Sequence, residues 1–244
     1  MRAAPRPYRN IGIFFLLLLL VVVGFTPRVA GTPFFGYVGT VLRGGQFPAV
    51  LHVHALVSIG WLLLLVVQAF LIRAGRHGLH RALGWTSVLL VSVLLLTSVQ
   101  AMQHFYRAAI TRMPVDTALS LLAQSVTALS LLLVFYTLAL LHRKHLHQHV
   151  AFMVAASLAT ATPGLARLGL YVVGGLPGIL AAVLLIYATL AAFLIHARRR
   201  YRQPILRSPY LLALLLFFLA HVMDFVGSQS AGWRWLARQL VAVW

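Results

Sequence analysis

The amino-acid sequence predicts an all-α, polytopic helical membrane protein with about seven transmembrane helices, its amino terminus inside and its carboxyl terminus outside. Three observations carry that prediction. Charged residues make up 9% of the chain and the mean hydropathy is +0.94, whereas soluble domains carry about 25% charged residues. Several stretches are long and apolar enough for a bilayer core about 30 Å thick, which needs roughly 20 mainly apolar residues per helix. The basic residues are also divided unevenly between alternate connections.

The apolar stretches fall at about 9–26, 49–72, 84–103, 117–141, 150–173, 177–196 and 209–227. The first follows a basic segment and has an apolar core at the long end for a signal peptide, with no clean small-x-small cleavage site after it. It therefore reads as a retained first helix. Residues 27–48 contain Pro27, Pro33, Pro48 and several glycines and read as an outer loop, apolar enough to lie partly in the interface. The short inner connections, residues 73–81 and 142–149, make the second and third spans, and the fourth and fifth, antiparallel neighbours. Gly174-Gly175-Leu176-Pro177-Gly178 reads as a tight outer reversal. Residues 232–244 read as an interfacial amphipathic helix anchored by Trp233, Trp235 and Trp244. Runs this long and apolar exclude barrel strands, and residues 1–244 form a single membrane domain.

A formal net charge of +18 suggests nucleic acid until the charges are placed. Arg2, Arg6, Arg9, Arg73, Arg76, Arg81, Arg143, Lys144, Arg198, Arg199, Arg200, Arg202 and Arg207 fall on one side of the predicted topology. Arg28, Arg43, Arg107, Arg112, Arg234 and Arg238 fall on the other, and Arg167 lies within a span. That imbalance fits the positive-inside rule. It predicts contact with anionic lipid on the inner face and no nucleic-acid partner.

Several chemistries are excluded by composition. Without cysteine there are no disulfides or thiolate metal sites. Without glutamate there is no His-Glu-x-x-His peptidase motif and no di-iron carboxylate set. Lys144, the only lysine, lies in a connection, so a Schiff base within a last helix is impossible. Gly227-Ser228 lacks a hydrolase signature, and no phosphate-cradling glycine loop is present. Nothing in the sequence points to an enzyme.

The polar residues form stripes. Residues seven apart share a helix face, so His54, Trp61 and Gln68 align on the second span while His52 points nearly the opposite way. Thr97, Gln100 and His104 share a face on the third span, and Asp116, Ser120, Gln124 and Thr127 on the fourth. His149, Thr160 and Arg167 align on the fifth, with a kink expected at Thr162-Pro163-Gly164. His221, Asp224 and Ser228 align on the last. The topology sorts His52, His54, His104, Asp116, Arg167, His221 and Asp224 to the outer half. It sorts His77, His80, His142, His145, His147, His149 and His196 to the inner interface.

Neutral imidazole is a common metal ligand whose second nitrogen needs a partner. An outer site of His54, His104 and His221, with Asp116 or Asp224 as ligand or supporting group, suits copper, zinc or haem iron. Arg167 is costly inside a span and calls for a partner: a carboxylate, a lipid phosphate or a haem propionate. The plainer alternative is that histidines at helix ends reach headgroups or cap carbonyls, and that Trp61 and Gln68 serve as packing and interhelical glue.

The stretch LHVHALVSIGWLLLLVVQAFLIRAGRHGLHRALGW resembles a pattern of uncharacterised bacterial polytopic membrane proteins: His-x-His, then Trp, then Gln, then His-Arg-x-Leu-Gly. His149, Met153 and Arg167 match a later part of that pattern, although Val150-Ala151 stand where basic residues are expected. The resemblance covers about 45–170 and implies a helical protein of the bacterial cytoplasmic membrane without an established activity. A looser similarity is to di-haem membrane cytochrome b proteins and haem-handling assembly factors. It implies haem ligation by His54, His104, His80 or His149 with Arg167 nearby, and partnership with a respiratory or other membrane complex. Two expectations follow: a haem- or metal-binding membrane protein active in electron transfer or respiratory-enzyme assembly, or a non-catalytic membrane subunit or small-solute carrier without a cofactor.

Overall fold

A computed structural model describes residues 11–25, 37–42 and 44–244. Arg2, Arg6, Arg9, Arg28 and Arg43, and residues 27–36 of the expected outer loop, lie outside the described residues. The described elements are helical: α1 (Ile11–Gly24), α2 (Tyr37–Leu42), α3 (Ala49–Arg73), α4 (His77–Ile110), α5 (Val115–Leu141), α6 (Leu146–Val172), α7 (Gly175–Tyr201), α8 (Pro209–Phe225) and α9 (Ala231–Ala242). Two single 3₁₀ turns, Ile205–Arg207 and Gly227–Gln229, precede and follow α8. No strand occurs among the described residues. Six helices, α3 to α8 (the last counted through Gln229), are long and apolar enough to cross a membrane. The chain therefore has the make-up of a multi-pass membrane protein. The described part of α1 has 14 residues and packs on α6 and α3.

The six long helices run alternately up and down. His54 near the start of α3 meets Thr97 toward the end of α4, and Ser120 early in α5 meets Ser228 just beyond α8. Gly169 late in α6 faces Gly178 early in α7. We refer to this end, which the charge distribution predicts to be outside, as the outer end. The inner reversal between α3 and α4 takes three residues where the sequence suggests a loop through Arg81. Gly75 adopts φ 71°, the Gly75 N–H donates to Ile72 O, and the Arg76 N–H donates to Leu71 O. This is a Schellman end, which turns the chain without spending further residues. As a result His77 and His80 are already helical, and α4 has 34 residues, about 51 Å, enough to pass through both headgroup layers.

The core centres on α6. It packs against α5, α7, α1 and α8, and half of its buried positions are Ala or Gly. At the α6–α7 crossing, a Cβ on Gly169 or on Gly178 would fall on the other residue's carbonyl oxygen; a Cβ on Gly24 of α1 would fall on Gly164 O, and one on Gly164 would crowd Val21. In lipid, helices gain little from hydrophobic burial against one another, so close backbone approach at small residues supplies much of the association. Pro163 sits inside α6 without ending it. The Thr160 and Thr162 hydroxyls donate back to Ala156 O and Leu158 O in the turn before it.

At the outer end α9 lies over α4 and α5. Trp233, expected to anchor α9 in the lipid interface, is instead buried and donates its indole N–H to Leu119 O at 2.8 Å. Trp244 packs edge-on against Tyr106, and Trp235 remains exposed. Overpacking a tight crossing costs about 1–3 kcal/mol. Gly169→Ala is therefore expected to lower the thermal midpoint of the detergent-solubilised protein, whereas Gly12→Ala, whose Cβ would meet nothing within 4 Å, should not. Equal midpoints for the two variants would remove the crossing from the account.

Candidate functional site

Between α1 and the six long helices, in the outer half, lies a cavity of about 310 Å³ that is also lined by Tyr37 and Val38 of α2. Its wall is mainly aliphatic and aromatic, with residues such as Leu62, Leu94, Leu132 and Phe217. The polar groups on it are few: His54, Gln124, Thr127, Thr160, Arg167, His221 and Asp224 among them.

Arg167 projects from α6 one turn beyond Pro163. Its guanidinium donates to Pro163 O at 2.9 Å and lies over the Phe25 ring, 4.4 Å from the centroid. The carbonyl and the negative ring face both favour a cation that has left water. Among the described residues that line the cavity, Arg167 is the only arginine or lysine.

His54 reaches the cavity from α3. Its Nδ1 is 3.2 Å from the Thr97 hydroxyl oxygen, and Thr97 donates its own proton to Val93 O at 2.8 Å. The Thr97 oxygen therefore accepts from His54 Nδ1–H, and His54 Nε2 carries a lone pair that can accept a proton donor or ligate. Across the cavity, Tyr187 and His221 are joined at 3.0 Å through the phenol oxygen and Nδ1. One turn further along α8, Asp224 Oδ1 accepts from the Thr127 hydroxyl at 2.6 Å.

The sequence-derived outer set is thus divided. His54, Arg167, His221 and Asp224 line one cavity, while His104 and Asp116 are not among its lining residues. His104 meets the Phe47 ring edge-on. Asp116 forms an exposed ion pair with Arg238 of α9 at 2.9 Å. Gln100, expected on the face of Thr97, is exposed while Thr97 is buried. Among the described residues, no group of three or more His, Asp or Glu is placed to hold a metal ion. At the inner end His149 donates from Nδ1 to Ala139 O at 2.8 Å, and His80 lies near it, beside the Gln68 backbone.

His52 points away from His54, as the helix period requires, and binds the Tyr37 hydroxyl at 2.6 Å. Burial pushes the Tyr37 hydroxyl above its ordinary value. Phe25, Tyr37 and Tyr187 are partners that the sequence did not single out. Each is remote in sequence from the group it meets, and an aromatic residue in an apolar run carries no signal that distinguishes it from packing.

Comparison with protein-family models, curated proteins and solved structures finds no match to this chain.

The two carboxylates differ in their expected sensitivity. Thr127→Val removes a hydrogen bond from a half-buried acid and should cost about 1–3 kcal/mol, whereas Asp116→Asn, at an exposed pair, should cost under about 1 kcal/mol. Thermal unfolding in detergent, followed by tryptophan fluorescence, checks the order. A larger loss for Asp116→Asn would reverse the assignment of Asp224 as the interior acid.

Proposed function

We propose that the protein is a seven-span protein of the bacterial cytoplasmic membrane, amino terminus inside, whose outer-half cavity holds an amphipathic organic molecule with an acidic head. The placement of Arg167 on the wall of a mainly apolar cavity carries this reading. An apolar body fits the aliphatic wall. A carboxylate or phosphate monoester accepts from the Arg167 guanidinium, and a phosphate monoester that keeps one proton can also donate it to His54 Nε2. Asp224 lines the cavity as well and disfavours a second anionic group, which gives the bound molecule a preferred direction.

Haem is a second reading, favoured by one observation. His54 and His221 both line the cavity and both have Nδ1 engaged by a hydroxyl group, the arrangement that orients a ligating imidazole. In that reading the two histidines would ligate the iron and Arg167 would receive a propionate, and the group would supply one-electron redox chemistry. Among the described residues, the copper or zinc reading has no group of three or more His or Asp gathered for it. His80 and His149 lie at the other end of the bundle. The uneven basic charge supports the inside amino terminus and contact with anionic lipid. The similarity to uncharacterised bacterial membrane proteins supports the compartment, and a membrane-complex partner remains part of the haem reading.

Purified protein should bind radiolabelled long-chain fatty acid in detergent, and Arg167→Ala should weaken binding by about 10- to 100-fold, the loss of one charge-assisted hydrogen bond. An intense visible absorption band in the same preparation would favour haem. Neither binding nor absorption would return the chain to the reading of a non-catalytic subunit or a carrier held by polar glue. Reporter fusions should place the amino terminus in the cytoplasm and residue 244 outside; the opposite result would invert the topology without moving the cavity.

A further inference from the structure

Three buried side-chain atoms on one interior face have no hydrogen-bond partner among the described residues: Trp61 Nε1, Gln68 Oε1 and His80 Nδ1. Each such atom costs about 1–3 kcal/mol if left unsatisfied. In folded proteins ordered water is the usual remedy where side chains and backbone provide none.

These atoms are arranged in order of depth. His80, half-buried near the start of α4, lies near His149 and beside the Gln68 backbone. One turn outward is Gly84, where a Cβ would sit 4.0 Å from Gln68 Nε2, so a methylene-sized gap is preserved beside the amide. Three residues further, the Ser87 hydroxyl is 2.8 Å from the Tyr136 hydroxyl, and the Tyr136 ring meets Trp61 edge-on. Ser58, three residues beyond Trp61 on α3, already lines the outer cavity. From Gln68 to Ser58 is about 15 Å along the helix. The adjoining inner end carries exposed residues, among them His77.

The chemistry of the set favours water over a metal ion. Trp61 offers a donor only, Gln68 Oε1 an acceptor only, and the imidazole and hydroxyls act as both. The chain's two carboxylates, Asp116 and Asp224, belong to the outer end. We propose that this stripe holds a file of water along which protons pass between the inner aqueous face and the outer cavity, with His80 as the group that takes them up and releases them. A proton from inner water binds His80 Nδ1 and later leaves to water beside Gln68. Only N–H and O–H bonds are exchanged, and one positive charge moves. His149, fixed by its bond to Ala139 O, stands at the inner mouth. The Ser87–Tyr136 pair carries the file past the fully buried Trp61. The inference is independent of what the outer cavity binds.

The absence of cysteine makes the test direct. In reconstituted vesicles, Gln68→Cys should react with a small hydrophilic thiosulfonate reagent at least tenfold faster than Val67→Cys, whose position lies on the exposed outer surface of α3. Vesicles holding the cysteine-free protein and a trapped pH dye should take up protons under a potassium diffusion potential faster than protein-free vesicles. His80→Ala and Gln68→Leu should each abolish that excess, and His196→Ala, an exposed histidine off the stripe, should retain it. Equal labelling at 67 and 68, no excess flux in the unsubstituted protein, or unchanged flux in both stripe variants would each overturn the proposal. Labelling of the correctly inserted Gln68→Cys protein does not depend on His80 variants folding.

Discussion

The bundle depends on the close approach of backbones along α6. Its apolar window is 61% buried, against 33% or less in the other five long helices, and it is the least apolar of them because little of it meets lipid. Ala151, Ala155, Ala156, Ala159, Ala161 and Gly164 leave room for neighbours on several sides. The first helix can rest on this surface because neither Gly24 nor Gly164 carries a side chain. Where lipid removes the ordinary hydrophobic drive, dispersion between closely packed backbones must supply the association. A helix that touches this many others also fixes where its own polar residues can sit, and Arg167 is carried by that helix.

Most hydroxyls in the spans are satisfied without leaving their helix. Ser157, Thr160 and Thr162 donate to carbonyls three or four residues back, which leaves their protons engaged even though they fall on polar stripes. Thr97 and Thr127 reach a second helix as well, Thr97 accepting from His54 and Thr127 donating to Asp224. A polar stripe is therefore evidence for a shared face, and the hydrogen bonds then separate residues that keep to themselves from those that serve another helix.

This distinction explains what could be read beforehand. Apart from α4, the long helices begin and end within about five residues of stretches read from hydropathy, and the opposition of His52 and His54 followed from the helix period. The limits of α4 did not follow, since a Schellman end at Gly75 replaces a longer loop and the basic start of the helix lacks the apolar signal. Sorting residues by depth brought together His54, His221, Asp224 and Arg167, which do line one cavity. His104 and Asp116 share that depth and meet Phe47 and Arg238 instead. Depth says how far along a helix a group lies and not which way it faces. For Asp116 the deciding partner, Arg238, comes from α9, more than 120 residues away.

The scarcity of acids shapes both ends of the interior. With two aspartates in the chain, and Asp116 engaged at the surface by Arg238, Asp224 and Arg167 are the acid and the arginine that line the outer cavity among the described residues. The inner stripe, by contrast, contains imidazole, amide, indole and hydroxyl groups that carry no permanent charge. Neutral polar groups cost far less to remove from lipid-exposed water than ions do, and a few shared waters can satisfy them all. A carboxylate at the depth of Gln68 would instead demand a counter-charge or hold a proton of its own. Among the described residues, charged side chains thus line the outer cavity, and uncharged polar groups make up the inner stripe.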